Sequence, residues 1–164
     1  MLEFVPDVAD WLLRHDWHPN RSVDVPESVP ATHPAHTILR SFGGLSLFSH
    51  DEEFPDDPIA EIDFGILSPD DKTAATWSRL LGSNVIGIGH VHNQHEKIYS
   101  DADGKIYGRS LVHDAFYLRG HSLSAFLYNL LTQTRAKPML RPDQHSVRLY
   151  GITFDSQSDE LHRY

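Results

Sequence analysis

The apolar residues of this chain change their period along its length, and the order of the changes leaves few architectures open. Val8, Trp11 and Leu12 share one helical face just after Pro6, a residue suited to a first helical turn. Ala35, Ile38, Leu39 and Phe42 recur at i, i+3, i+4 and i+7, and Gly43-Gly44 stops that helix. Ser68-Pro69-Asp70-Asp71 reads as a third helix start, with a serine cap, a first-turn proline and two acids at the positive end of the dipole. Ala74, Trp77, Leu80 and Leu81 continue that helix and Gly82 ends it. Ser122 opens a last helix whose Leu123, Phe126, Leu127, Leu130 and Leu131 face inward.

Between the helices the pattern is that of short strands. Candidates run over 45–48, 59–66, 85–92, 96–100, 105–109 and 115–118, with another over 147–154. Asp101-Ala102-Asp103-Gly104 lies between two Ile-Tyr strands and predicts an antiparallel hairpin over 96–109, with Gly104 free to take a positive φ. Helices first, strands in the middle around one helix, then helix and strand: the order predicts an α+β fold with a mostly antiparallel sheet. No internal repeat or low-complexity linker divides the chain, so residues 1–164 are expected to form a single domain.

Charge narrows the function. The 164 residues carry 23 acids against 14 bases, a net charge of −9, which repels phosphate backbones and argues against direct nucleic-acid binding. Nine of the acids fall between Asp51 and Asp71, a stretch without Lys or Arg. There is no cysteine, which excludes a disulfide scaffold, a thiolate metal site and a cysteine nucleophile. No run approaches the roughly 18 apolar residues of a membrane span, and no secretion signal opens the chain, so a cytoplasmic location is expected.

The sharpest hint of catalysis is His90-Val91-His92, two imidazoles on one face of a strand. With Ser100 and Asp103 they reproduce the His-x-His-x7-Ser-x2-Asp spacing of JAMM metalloproteases, in which His90, His92 and Asp103 would bind zinc and Glu61 would act as base. Two features oppose it: the proline expected after the second histidine is Asn93, and the Asp103 segment reads as a hairpin where that family opens a helix. His90, His92 and His95 also resemble the histidine motif of metallo-β-lactamase-like hydrolases, with Gln94 where an aspartate is needed. Gly120-His121-Ser122-Leu123-Ser124 resembles a nucleophile elbow, but Ser124 replaces the second glycine and only 42 residues follow Ser122. Ser122 reads better as a helix cap.

Five segments in order resemble the third subfamily of the SUKH immunity proteins. They are Trp17 through Asp24 with Pro19 and Arg21; His33 through Phe42-Gly43-Gly44-Leu45; Trp77 through Gly82 with Val85 to Gly89; Tyr99 through Asp103-Gly104 to Gly108; and Leu118-Arg119-Gly120 with Ala125 to Leu131. The resemblance spans about residues 5 to 132, and 138–164 extend past its usual end. Trp17 and Trp77 read as core anchors. Arg21 either pairs with a carboxylate that fixes the N-terminal loop or stands as a surface charge.

The resemblance implies an intracellular, non-enzymatic immunity protein that binds the toxin domain encoded beside it, often a nuclease or deaminase, with no cofactor. Asp51, Glu52, Glu53, Asp56 and Asp57 are the expected partner-binding residues, because five acids in seven residues repel one another and suit a basic partner. No metal is expected. The readings from other classes are the zinc hydrolase described above and a SUKH-type interaction domain without a toxin partner.

Overall fold

The computed structural model describes residues 2–50, 58–68 and 70–164. Two helices lead, α1 (Pro6–Leu13) and α2 (Pro34–Phe42), followed by β1 (Ser46–His50) and β2 (Pro58–Phe64). After α3 (Lys72–Leu81) come β3 (Ile86–Val91), β4 (Glu96–Ser100), β5 (Ile106–Ser110) and β6 (Phe116–Gly120). Then α4 (Leu123–Leu131), β7 (Lys137–Met139), β8 (Ser146–Leu149) and β9 (Ile152–Asp155) complete the α+β fold. β1 to β7 form one sheet in sequence order, every neighbouring pair antiparallel, and β8 and β9 pair separately.

The Ile-Tyr pairs of β4 and β5 explain how this sheet is covered. Successive side chains on a strand point to opposite faces. Ile98 and Ile106 join Ile62, Phe64 and Ile88 in a core built with α1, α2 and α4. Tyr99 and Tyr107 face the other way, into a core with Trp77 of α3, Phe116, Leu118 and Met139. Trp77 stacks on Phe116 with ring centroids 4.2 Å apart, a geometry that adds roughly 0.5–1.5 kcal/mol beyond burial. Both tyrosine hydroxyls find acids, Tyr99 donating to Asp71 and Tyr107 to Asp101, each at 2.9 Å. A third cluster under β8 and β9 gathers Ala115, Tyr117, Ala136, Val147, Leu149 and Phe154.

The hairpin expected over 96–109 is present, with Tyr99 opposite Tyr107 and Gly104 at φ +81°. The C-terminal region differs from expectation. The single strand expected over 147–154 is two, β8 and β9, because Tyr150 and Gly151 take φ of +54° and +76° and make a two-residue hairpin turn. β7 had no strand signal: it is three residues long and contains Pro138, which an edge strand tolerates because its N–H is not needed by a further neighbour. The third helix also starts later than expected. Asp71 is its cap, accepting from the Thr73 and Ala74 amides, whereas the Ser68 hydroxyl accepts from Asp70 in the turn before it; Pro69 lies outside the described residues.

Candidate functional site

β3 and β4 are joined by His92-Asn93-Gln94-His95. None of these is glycine, yet His92, Asn93 and Gln94 take φ of +53°, +52° and +64°. A left-handed L-residue costs roughly 1–2 kcal/mol, so three in succession need support from outside the turn. Glu61 on β2 gives two contacts: its carbonyl accepts from the His92 amide at 3.3 Å, and its carboxylate accepts from the Asn93 amide at 3.0 Å. The His95 amide donates to the His92 carbonyl at 3.0 Å, and the His95 carbonyl accepts from Leu111 at 2.9 Å.

A buried ion pair stands next to this turn. Glu96, the first residue of β4, and Arg119 on β6 are 3% and 8% exposed. The Arg119 Nε donates to Glu96 Oε1 at 2.7 Å and its Nη2 to Oε2, a bidentate arrangement. The pair reaches across β5 only because residue 108 is glycine: a Cβ there would lie 2.1 Å from Glu96 Oε1 and 2.3 Å from the Tyr117 ring. Burial works against the Arg119 charge, but Glu96 outweighs it and holds the guanidinium pKa above its ordinary value. Arg119 Nη2 also lies 3.3 Å from His92 Nε2, which accepts when the imidazole is neutral. Burial pushes the His92 pKa down, Glu96 opposes the shift, and Arg119 adds to it.

Arg119 forms part of the wall of a groove of about 450 Å³ between the end of α4, the His92 turn and the β8–β9 turn. Asn129, Gln133, Arg135 and Tyr150 face the same space. The Asn129 amide is fixed by donating to the Arg119 carbonyl at 2.8 Å, and the Arg135 guanidinium lies over the Tyr150 ring, 5.8 Å from its centre.

The structure separates the residues of the zinc-hydrolase reading. His90 lies within β3, but His92 is in the turn beyond the strand, so the two do not form the strand pair that the spacing suggests. Asp103 sits in the β4–β5 turn, at the far end of β4 from His92, and no helix begins at Ser100. Among the described residues no three His, Asp or Glu side chains come together as a metal site, and this covers His90, His92 and His95. Glu61, the base of that reading, accepts from the Asn93 amide and braces the turn. Ser122 caps α4, its Oγ accepting from the Ala125 amide at 3.2 Å. Asp51, Glu52, Glu53, Asp56 and Asp57 lie outside the described residues.

A family model described as SUKH-3 immunity protein matches residues 4–133. The chain belongs to the SUKH-3 immunity protein family. No curated protein and no solved structure matched the sequence.

Within the SUKH-3 region the motif residues hold the framework together. Among the described residues Arg21 pairs with no carboxylate; its two Nη groups donate to the Ser41 and Gly43 carbonyls at 2.9 and 2.8 Å, at the negative end of α2. Trp17 is 8% exposed and stacks on Phe42, with ring planes 8° apart. The SUKH-3 match ends two residues after α4, so the groove has walls of two origins. His92, Arg119 and Asn129 belong to the matched region, whereas Arg135 and Tyr150 belong to the extension beyond it. Sequence reasoning missed this groove. The available signal was Arg119 itself, a charged residue directly after the apolar run Phe116-Tyr117-Leu118 on one strand, where burial demands a partner.

Proposed function

We propose that the chain neutralises a toxin by binding it, as an immunity protein acting in the cytoplasm without catalysis or cofactor. The partner is the toxic C-terminal domain of a polymorphic toxin encoded beside it, of nuclease or deaminase type. The SUKH-3 family match over residues 4–133 carries this reading. The absence, among the described residues, of a helix long and apolar enough to cross a membrane is compatible with it. The net charge of −9 suits a basic partner.

Co-expression tests the reading. Cells making the neighbouring toxic domain alone should stop growing, and cells that also make this chain should grow, with the two proteins eluting as one complex. Growth arrest unchanged by co-expression, with no complex, would leave a SUKH-type interaction domain with some other partner.

Asp51, Glu52, Glu53, Asp56 and Asp57 form part of the toxin-binding surface in this proposal. A nuclease is basic where it grips its substrate, and an acidic segment speeds encounter with such a surface. Replacing Asp51, Glu52 and Glu53 with Ser should slow association on the order of tenfold at low salt and flatten its ionic-strength dependence, with thermal stability unchanged. An association rate and salt slope equal to those of the unmodified chain would remove these residues from the interface.

A further inference from the structure

We propose that the groove between α4, the His92 turn and the β8–β9 turn is a seat for an anionic oxygen group, a carboxylate or a phosphate, gripped by Arg119 and Arg135. This goes beyond toxin neutralisation and does not depend on it.

The first support is an unspent donor. The Arg119 side chain is 7% exposed, and what remains accessible lines the groove. Its Nε and Nη2 are committed to Glu96 and His92, while Nη1 has no acceptor among the described residues. A guanidinium has five N–H donors and no acceptor. Glu96 therefore satisfies one edge of Arg119 and leaves another facing the groove. A second cation comes from the opposite wall: Arg135 is exposed and, among the described residues, lies over Tyr150 with no acidic partner. Glu96 neutralises one of the two charges, so the groove keeps a surplus of one in a chain whose net charge is −9.

The lining is otherwise made of neutral hydrogen-bonding groups and Leu130, with no Asp or Glu on it. Its volume of about 450 Å³ falls within the usual span of small-ligand sites, roughly 300–1,000 Å³.

Backbone strain marks the same place. His92, Gln133 and Tyr150 all line the groove with φ between +53° and +54°, and Asn93 and Gln94 adjoin His92. Left-handed non-glycine residues persist only where their surroundings enforce them, and they concentrate at ligand sites. Here three separate loops hold that conformation around one space.

Two sources can supply such a group: a free phosphate-like ion, or an Asp or Glu side chain of a bound protein. NMR titration of the full chain separates them, with inorganic phosphate as one probe and N-acetyl-glutamate amide as the other. Saturable amide shifts at His92, Asn129, Gln133 and Arg135 with at least one probe are expected. Saturation by phosphate alone assigns a free oxyanion, and saturation by the blocked glutamate alone assigns a protein side chain. Arg135→Gln should weaken binding about tenfold, in line with the loss of a charge-assisted hydrogen bond. Arg79→Gln removes the same charge from exposed α3, on the other face of the sheet, and should change binding less than twofold. Shifts that fail to saturate with both probes, or equal weakening by the two variants, would overturn the site.

Discussion

Two turns close the two ends of β4, and they reach a stable shape by opposite means. At one end, residues 101–105 are supported mainly from nearby in sequence, with one distant contact, the Ala102 amide donating to the Ser83 hydroxyl at 3.1 Å. Asp101 is 2% exposed; its Oδ1 accepts from the Asp103 and Lys105 amides at 3.0 and 2.9 Å, and its Oδ2 accepts from the Tyr107 hydroxyl. Gly104 takes the left-handed position, which has little cost for glycine. At the other end, residues 92–95 place three side-chain-bearing residues in that region and depend on Glu61 of β2 and the Glu96–Arg119 pair next to them. The first turn is determined mainly by local contacts and the second mainly by tertiary ones. Both border grooves: Asp103 and Gly104 line one of about 430 Å³ with Pro34 and His121, and His92 lines the one beside Arg119.

The largest expected effect falls on the externally supported turn. Arg119→Met leaves Glu96 buried without its partner and should cost about 3–5 kcal/mol, read as a shift in the denaturant midpoint. Adding Glu96→Gln should recover much of that loss, because the unpaired charge is then gone. A double variant no more stable than the single one would mean that Glu96 is not the residue left stranded.

Asp101→Ala should cost about 2–3 kcal/mol, since it removes a buried charged acceptor and strands the Tyr107 hydroxyl. The expected damage is confined to residues 101–107. Amide shifts that spread into 92–95 would show that the two turns are not independent.

A smaller pair of changes should have opposite signs. Gly104→Ala forces a Cβ into a left-handed position and should lose about 1 kcal/mol, whereas Gln94→Gly relieves one and should gain up to about 1 kcal/mol. Loss in both variants would contradict the strain assigned to the His92 turn.

The smallest effect concerns pH. The folded-state pKa of His92 is lowered, so the fold favours the neutral imidazole. Its contribution is therefore fully present above the unfolded value near 6.5 and is lost as pH falls below that value. His90 and His162 are shifted in the same direction and add to the slope. Thermal melts between neutral pH and about pH 5 should show the His92→Gln variant losing less stability on acidification than the unmodified chain. Equal losses would place the titration elsewhere.

The same contrast explains what could be read from the residues alone. Asp101 to Gly104 lie between two Ile-Tyr strands, so local chemistry identified the hairpin and its glycine. The inward faces of α2 and α4 followed from their spacing, and their buried residues include Ile38, Phe42, Phe126 and Leu130 as expected. The His92 turn was not legible, because nothing within His92-Asn93-Gln94-His95 indicates that Glu61, 31 positions before His92, holds it. His90 and His92 therefore suggested a metal pair on one strand, although the chain leaves its strand between them. The β8–β9 hairpin escaped for a related reason: Tyr150 is an unusual residue for a positive φ, and its hydroxyl is anchored by the Ala136 amide at 3.0 Å, a contact far from the turn in sequence.

Residue-by-residue amide hydrogen exchange in Glu61→Ala tests the external support of the His92 turn most directly. The change removes one brace, the carboxylate at 3.0 Å from the Asn93 amide, without opening a buried site. Exchange at Asn93 and His95 should accelerate several-fold, while Asp103, Gly104 and Lys105 keep the rates of the unmodified chain. Equal acceleration at both turns, or none at Asn93, would contradict the claim that one end of β4 is held from β2 and the other mainly by its own neighbours in sequence.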